Sequence, residues 1–130
     1  MPGSTGEATV SDKVCITIEQ GGDGLDALMD ERFGRAPRFL VVDRGSGEVL
    51  EVIDNAAASA AHGAGTAATA MMRSHGVGAV ISGRFGPKAL QALEALKIEA
   101  WIAPSASTAR RAHELLTSGT LERAEMKVFR

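Results

Sequence analysis

One short segment of the sequence places two arginines around a Phe-Gly pair: Arg32-Phe33-Gly34-Arg35. Planar guanidinium groups hold anions through paired N–H donors, so this spacing predicts an anion contact. The alternative is a solvated loop in which Phe33 packs into the core. The residue types alone leave both interpretations open.

A second segment, His62-Gly63-Ala64-Gly65, stands directly before a predicted helix. The imidazole of His62 can ligate a metal or donate a hydrogen bond to an anion, and the glycines let the backbone approach a ligand closely. A helix N-terminus adds free N–H groups and a partial positive charge. The competing interpretation is a histidine that caps or fills a loop, because the segment matches neither the Walker A nor the dinucleotide-binding pattern.

The other reactive side chains form no recognisable catalytic or metal-binding set. Cys15 is the single cysteine and lies in the middle of a predicted strand, where a small buried core residue is expected. No spacing of Cys and His is typical of a zinc site, and no two acids stand out as a catalytic pair. The sequence therefore predicts no catalytic residue and no enzyme.

Composition predicts one small globular domain, because 130 residues suffice for about one domain. The net charge of −2 argues against a nucleic-acid partner, since neutralising phosphates needs a concentrated basic surface. No apolar run approaches the roughly 20 residues that span a bilayer, and the N-terminal residues lack a signal-peptide pattern. These features predict a cytoplasmic protein without a membrane partner.

Hydropathy patterns predict the elements that position the two segments. Alternating or continuous apolar runs predict strands, and they cover residues 13–18, 38–43, 48–53, 78–82 and 99–103. Apolar stripes at helical spacing predict three helices, from residue 64 to about His75, from Pro87 onward, and from a cap at Ser105 or Ser107 to about Ser118.

The order β-β-β-α-β-α-β-α predicts an α/β fold with a mixed five-stranded sheet and helices packed on it. A hairpin between the second and third strands supplies the antiparallel pair. We expect residues 1–12 to form a flexible N-terminal segment, residues 13–119 a single domain, and residues 120–130 a C-terminal tail of uncertain structure.

The predicted order also indicates where a site forms. If the second strand runs antiparallel to the other four, four loops gather at one edge of the sheet: residues 19–32, 54–65, 82–86 and 104–107. Ligands of open α/β sheets bind at such an edge.

Three segments occur in a familiar order: Glu31-Arg32-Phe33-Gly34-Arg35-Ala36-Pro37, then Asn55 to His62-Gly63-Ala64-Gly65, then Ser82-Gly83-Arg84-Phe85-Gly86-Pro87. In this order they resemble the dinitrogenase iron-molybdenum cofactor biosynthesis family, over residues 13–119. The resemblance implies a ribonuclease H-like fold. It also implies a nitrogenase accessory role: binding, carriage or storage of the iron-molybdenum cofactor, its precursors or another molybdenum-containing sulfide cluster.

By position, the resemblance implies that His62 contacts the cluster as a metal ligand. It implies that the surrounding pocket is shaped by Asn55, Gly63, Gly65, Phe33, Gly34, Arg35 and Gly86. Some members have a histidine where this chain has Arg32, and the substitution favours an electrostatic contact over a second imidazole ligand.

The implied chemistry is consistent with the residues, because anionic sulfide clusters suit arginines and helix N-termini. The expected partners are a metal cluster and a cluster-donor or cluster-acceptor protein. The alternative is a regulatory or interaction domain that binds a protein partner or a small anion such as molybdate through the same rim. Ribonuclease H-type catalysis would need clustered carboxylates, and Lys13–Ile18 contains no acid.

Overall fold

The computed structural model describes residues 12–125. The predicted flexible N-terminal segment lies outside the described residues except for Asp12, as do residues 126–130 of the predicted tail. The elements in chain order are β1 (Lys13–Ile18), β2 (Arg38–Asp43), β3 (Val49–Asp54), α1 (Ala64–Ser74), β4 (Ala79–Ser82), α2 (Pro87–Ala95), β5 (Glu99–Ile102), α3 (Ala109–Thr117) and β6 (Glu122–Arg123).

The strands form one mixed sheet in the order β3-β2-β1-β4-β5-β6. Strand β1 pairs in parallel with β4, and β4 pairs in parallel with β5. Strand β2 is antiparallel to both of its neighbours, β1 and β3. The predicted antiparallel second strand is therefore confirmed, and β1, β3, β4 and β5 all end at the same edge. The ribonuclease H-like label stays a prediction.

The prediction of five strands was one too few. Strand β6 pairs antiparallel with the outer edge of β5, through Trp101 opposite Arg123, and the N–H of Ala124 donates to the carbonyl of Ala100 at 2.8 Å. Two exposed charged residues carry no alternating apolar pattern. Only their proximity to an open strand edge makes them a strand, so hydropathy could not reveal it.

Helices cover both faces of the sheet, because the strands alternate their apolar side chains between two cores. On one face Cys15, Phe39 and Val80 pack with Ala68 of α1 and Leu93 of α2. Burial in this core raises the pKa of the Cys15 thiol, so the thiol stays protonated at neutral pH. The predicted core position of Cys15 is confirmed.

The opposite face packs against α3, whose Ala112 and Leu116 join Val14, Ile16 and Ile81. Because helices cover both faces of the sheet, β1 and β4 are buried along nearly their whole length. Along residues 12–125, none of the helices is long and apolar enough to cross a membrane.

The predicted starts of the first two helices are confirmed, with α2 beginning at Pro87. The predicted cap of α3 at Ser105 or Ser107 was wrong. Thr108 is the cap, and its hydroxyl accepts from the N–H of Arg111 at 3.1 Å. The Ser107 hydroxyl instead donates to the carbonyl of Pro104 at 2.7 Å, which closes the turn before the helix.

Candidate functional site

Three of the predicted rim loops meet around a pocket with a volume of about 550 Å³. This volume is within the roughly 300–1,000 Å³ typical of small-molecule and cofactor sites. We call it the cationic pocket; its lining residues are Arg32, Phe33, Gly34, Arg35, Gly63, Ala64, Gly65, Thr66, Arg84, Phe85, Gly86, Pro87, Lys88 and Ala89. Seven of the nine residues predicted to form the site are among them.

Two of the predicted glycines allow the three loops to touch. A Cβ added at Gly34 would lie 2.7 Å from the backbone of Gly65, and a Cβ added at Gly65 would lie 2.8 Å from the Cβ of Ala89. Gly34, Gly65 and Ala89 therefore stack in a row that joins the loop after β1 to the first turns of α1 and α2. Their small size serves the approach of chain to chain, in addition to any approach to a ligand.

Two Arg-Phe-Gly triplets, Arg32 to Gly34 and Arg84 to Gly86, lie side by side at the wall of the pocket. Arg32 and Arg84 form an isolated parallel bridge, and the Phe33 N–H donates to the Arg84 carbonyl at 3.2 Å. The rings of Phe33 and Phe85 pack with their centroids 5.4 Å apart. Phe33 is buried in the core, as one interpretation predicted, and also lines the pocket; the anion contact of its segment stays a prediction.

Both helices that enter the cationic pocket begin at a glycine without a side-chain cap. Gly63 precedes α1 with φ 77°, a left-handed conformation that favours glycine, and Gly86 precedes α2 in an extended conformation. The first hydrogen bonds within these helices are donated by Ala67 and Leu90. The N–H groups of the preceding first-turn residues therefore have no acceptor within the helix and are available to an anion.

Every ionisable side chain that lines the pocket is basic: Arg32, Arg35, Arg84 and Lys88. Arg32 is paired with Asp30, Nη2 to Oδ2, at 3.3 Å. Arg35 donates from Nη1 to the carbonyls of Ala58 at 3.1 Å and of Ala60. The electrostatic sign of the pocket thus favours an anion, although two of its cations already have partners in the protein.

Asn55 was predicted to shape the pocket, and the structure places it behind the wall. Its buried side-chain amide donates to the carbonyls of Gly34 at 3.1 Å and Ala36 at 2.8 Å. Its Oδ1 accepts from the N–H of Ala57 at 3.1 Å. Asn55 therefore joins the Arg-Phe-Gly segment to the loop after β3, on which His62 lies.

His62, the predicted metal ligand, is exposed at the end of that loop. The neighbouring residue Gly63 lines the pocket, whereas His62 itself lies beside the lining residues. Arg35 and Asn55 hold the same loop through hydrogen bonds to the backbone of Ala57, Ala58 and Ala60. The structure thus places His62 next to the pocket, and its role as a ligand stays a prediction.

The sequence interpretation missed Arg84 and Lys88 as site residues. The repeated Arg-Phe-Gly triplet was a usable signal for Arg84, since the first triplet was recognised as a candidate anion contact. Lys88 had no comparable signal, because a lysine in the first turn of a helix is usually a solvated surface residue.

A second depression, of about 470 Å³, lies beside the cationic pocket. We call it the mixed-charge depression; it is lined by Glu19, Leu28, Met29, Asp30, Glu31, Arg32, Arg84, Ser105 and Ala106. Arg32 and Arg84 line both cavities and form the ridge between them. Across the described part of the chain, no group of three or more His, Cys, Asp or Glu side chains could hold a metal ion.

A mixed sheet with a basic pocket at the ends of its parallel strands defines this protein as a small α/β domain of the ligand-binding type. Residues 12–119 match the dinitrogenase iron-molybdenum cofactor family. The chain belongs to this family, so the resemblance predicted from the three motifs is confirmed.

Similar proteins are found in several organisms. The apo form of the orange protein from Desulfovibrio gigas is 38% identical, with a TM-score of 0.80 over 87% of this chain and 92% of that one. A Thermotoga protein of the DUF35 family is 29% identical, with a TM-score of 0.75 over 91% of this chain and 97% of that one. An uncharacterised protein of Methanocaldococcus jannaschii is 32% identical over 99 residues, 75% of this chain and 83% of that protein.

Proposed function

We propose that this protein binds and carries an anionic molybdenum–sulfide cluster, of the iron-molybdenum cofactor type or a precursor of it, in the cationic pocket. One observation carries the proposal: two uncapped helix N-termini and four basic side chains share a single pocket whose lining has no acid. Membership of the dinitrogenase iron-molybdenum cofactor family supports the choice of cluster.

The chemistry of the pocket suits such a cargo. A sulfide-rich anion presents acceptors on several sides, and the pocket supplies N–H donors from the first turns of α1 and α2 together with guanidinium groups. Phe85, Pro87 and Ala89 add an apolar wall that excludes water from part of the surface. Contacts of this kind hold a cluster without a covalent cage, so they permit release.

We assign His62 as the metal ligand of the cargo. Its loop is held to the Arg-Phe-Gly segment by Asn55 and Arg35, so the backbone that carries the imidazole is anchored beside the pocket. One imidazole on an exposed loop forms a bond that can be exchanged when a cytoplasmic donor or acceptor protein meets the rim. Carriage of this kind includes no catalytic step.

A second candidate is an interaction or regulatory domain whose rim binds a protein partner or a small anion such as molybdate. The uncapped N-termini of α1 and α2 favour this candidate as well, because free N–H groups hold oxo anions and sulfide clusters alike. The two candidates differ in whether the protein retains a sulfide cluster when excess ligand is removed.

The test is an anaerobic titration of the purified protein with iron-molybdenum cofactor, and separately with tetrathiomolybdate plus copper. Visible absorption and metal content are then measured after desalting. The carrier proposal predicts retained, stoichiometric metal that falls in His62→Ala. It predicts no fall in His75→Ala, a control histidine whose Nδ1 pairs with Glu51 at 2.9 Å.

No retained metal in the wild-type protein would rule out the carrier and favour the regulatory domain. Equal retention in His62→Ala and His75→Ala would remove His62 as the ligand and leave the pocket as an electrostatic site.

A further inference from the structure

We infer that Arg84 sets the preference of the cationic pocket for charged cargo, an inference that rests on the proposed function. Of the four basic side chains in the pocket, Arg32 is paired with Asp30 and Arg35 is bonded to the loop after β3. Within residues 12–125, the guanidinium of Arg84 has no ion pair or hydrogen bond to another residue. An anionic cargo can therefore bind this guanidinium without displacing another of the described residues from it.

The backbone of Arg84 is held firmly although its side chain is exposed. Its carbonyl accepts from the Phe33 N–H at 3.2 Å, and the next side chain, Phe85, packs on the ring of Phe33. On the other side, a Cβ added at Gly83 would lie 2.8 Å from the Cα of Glu31, so the two loops are in close contact there. A fixed backbone reduces the entropy that the guanidinium loses when it binds an anion.

Lys88 is the other basic residue of the pocket without an ion pair among the described residues, but its position is less favourable. It lies in the first turn of α2, where the helix dipole disfavours a cation. An ammonium group also lacks the planar pair of donors with which a guanidinium holds an anion. Arg84 is therefore expected to contribute more than Lys88 to anion affinity.

Arg84 also lines the mixed-charge depression, together with Glu19, Asp30 and Glu31. Carboxylates on that side attract the same guanidinium that the cargo attracts on the other. None of these acids forms an ion pair with Arg84 within residues 12–125, but their negative charge opposes that of an anionic cargo nearby. Neutralising Glu31 should therefore tighten binding modestly.

The test measures the dissociation constant of tetrathiomolybdate by equilibrium dialysis at two salt concentrations. Arg84→Gln should weaken binding roughly tenfold, the loss expected for one hydrogen bond to a charged group, and should make the affinity less sensitive to salt. Arg73→Gln is the matched control, since it removes one exposed positive charge from the last turn of α1. It should leave both quantities near their wild-type values.

A second variant separates charge from shape: Arg84→Lys should recover part of the affinity and most of the salt sensitivity. Thermal unfolding should show that all variants remain folded. Equal binding by Arg84→Gln and Arg73→Gln would overturn the inference while leaving the proposed function intact. A wild-type protein that binds no tetrathiomolybdate at either salt concentration would instead overturn the proposed function, and the inference with it.

Discussion

The cationic pocket and the mixed-charge depression are neighbours on one rim, and they share Arg32 and Arg84. Both are made by loops that follow parallel strands of the same sheet. The pocket adds Arg35 and Lys88 and contains no acid, whereas the depression adds three acids: Glu19, Asp30 and Glu31. Strand topology thus creates two concave sites, and the loop side chains decide which one favours an anion.

The helix starts differ in the same way. Helices α1 and α2 open into the cationic pocket from uncapped glycines. Helix α3 follows the loop of the depression, and there the hydroxyl of Thr108 already accepts a hydrogen bond from the N–H of Arg111. A capped N-terminus has one donor fewer for a ligand. The comparison predicts that the proposed anion binding uses the caps left open, at some cost in helix stability.

The largest expected effect tests the close packing that forms the cationic pocket. Gly34→Ala should lower the free energy of unfolding by about 3 kcal/mol, because the added methyl meets the backbone of Gly65, which cannot move aside. Gly24→Ala is the control, since a Cβ there meets nothing within 4 Å. Urea denaturation measures both. A Gly34→Ala protein as stable as the control would mean that the three loops are not packed together.

A smaller effect is expected at the link behind the pocket. Asn55→Ala should cost about 2 kcal/mol of unfolding free energy, because it leaves the carbonyls of Gly34 and Ala36 without their donor. The neighbouring change Asp54→Ala removes only an exposed ion pair with Arg38 and should cost about 0–1 kcal/mol.

Cluster retention after desalting should follow the same order in these two variants. Asn55→Ala frees the loop of His62 and should reduce retention, whereas Asp54→Ala should not. Unimpaired retention in Asn55→Ala would show that the loop position does not depend on this side chain.

The smallest effect on stability is expected when the caps are exchanged between α2, at the cationic pocket, and α3, beside the mixed-charge depression. Gly86→Ser should stabilise the protein by a few tenths of a kcal/mol, since the extended backbone there suits a capping hydroxyl. The same hydroxyl competes with cargo for the N–H groups of α2, so anion affinity should fall. Thr108→Gly should cost a few tenths of a kcal/mol and leave anion affinity unchanged.

Chemical denaturation and equilibrium dialysis of the two cap variants test this trade-off. Equal anion affinity in Gly86→Ser and wild type would show that the start of α2 does not contact the cargo, and the comparison between open and capped helices would lose its basis.

The sequence predicted most of the scaffold because its signals are local. β1 and β2 have the predicted bounds, and Pro87 begins α2 as expected. Hydropathy with a period of two or 3.6 residues depends only on neighbours along the chain. The two segments singled out for chemistry, residues 32–35 and 62–65, also supply much of the cationic pocket.

The errors fall where distant residues decide the outcome. Strand β6 exists because β5 has an open edge beside it. Thr108 caps α3 in place of Ser107, whose hydroxyl is bonded to Pro104. Each outcome depends on which hydrogen-bond partner lies within reach, and this cannot be determined from a short window of sequence.

By itself, the sequence determined the mixed α/β elements, the edge where their loops gather, and the motifs of the iron-molybdenum cofactor family. Only the tertiary structure decided which arginines of that edge remain available. Asp30 engages Arg32 and the loop carbonyls engage Arg35, while the guanidinium of Arg84, on the ridge between the two cavities, has no ion pair or hydrogen bond within residues 12–125. The physical reason is that a side chain's charge is encoded locally, whereas its partners are set by the packing of loops far apart in the chain.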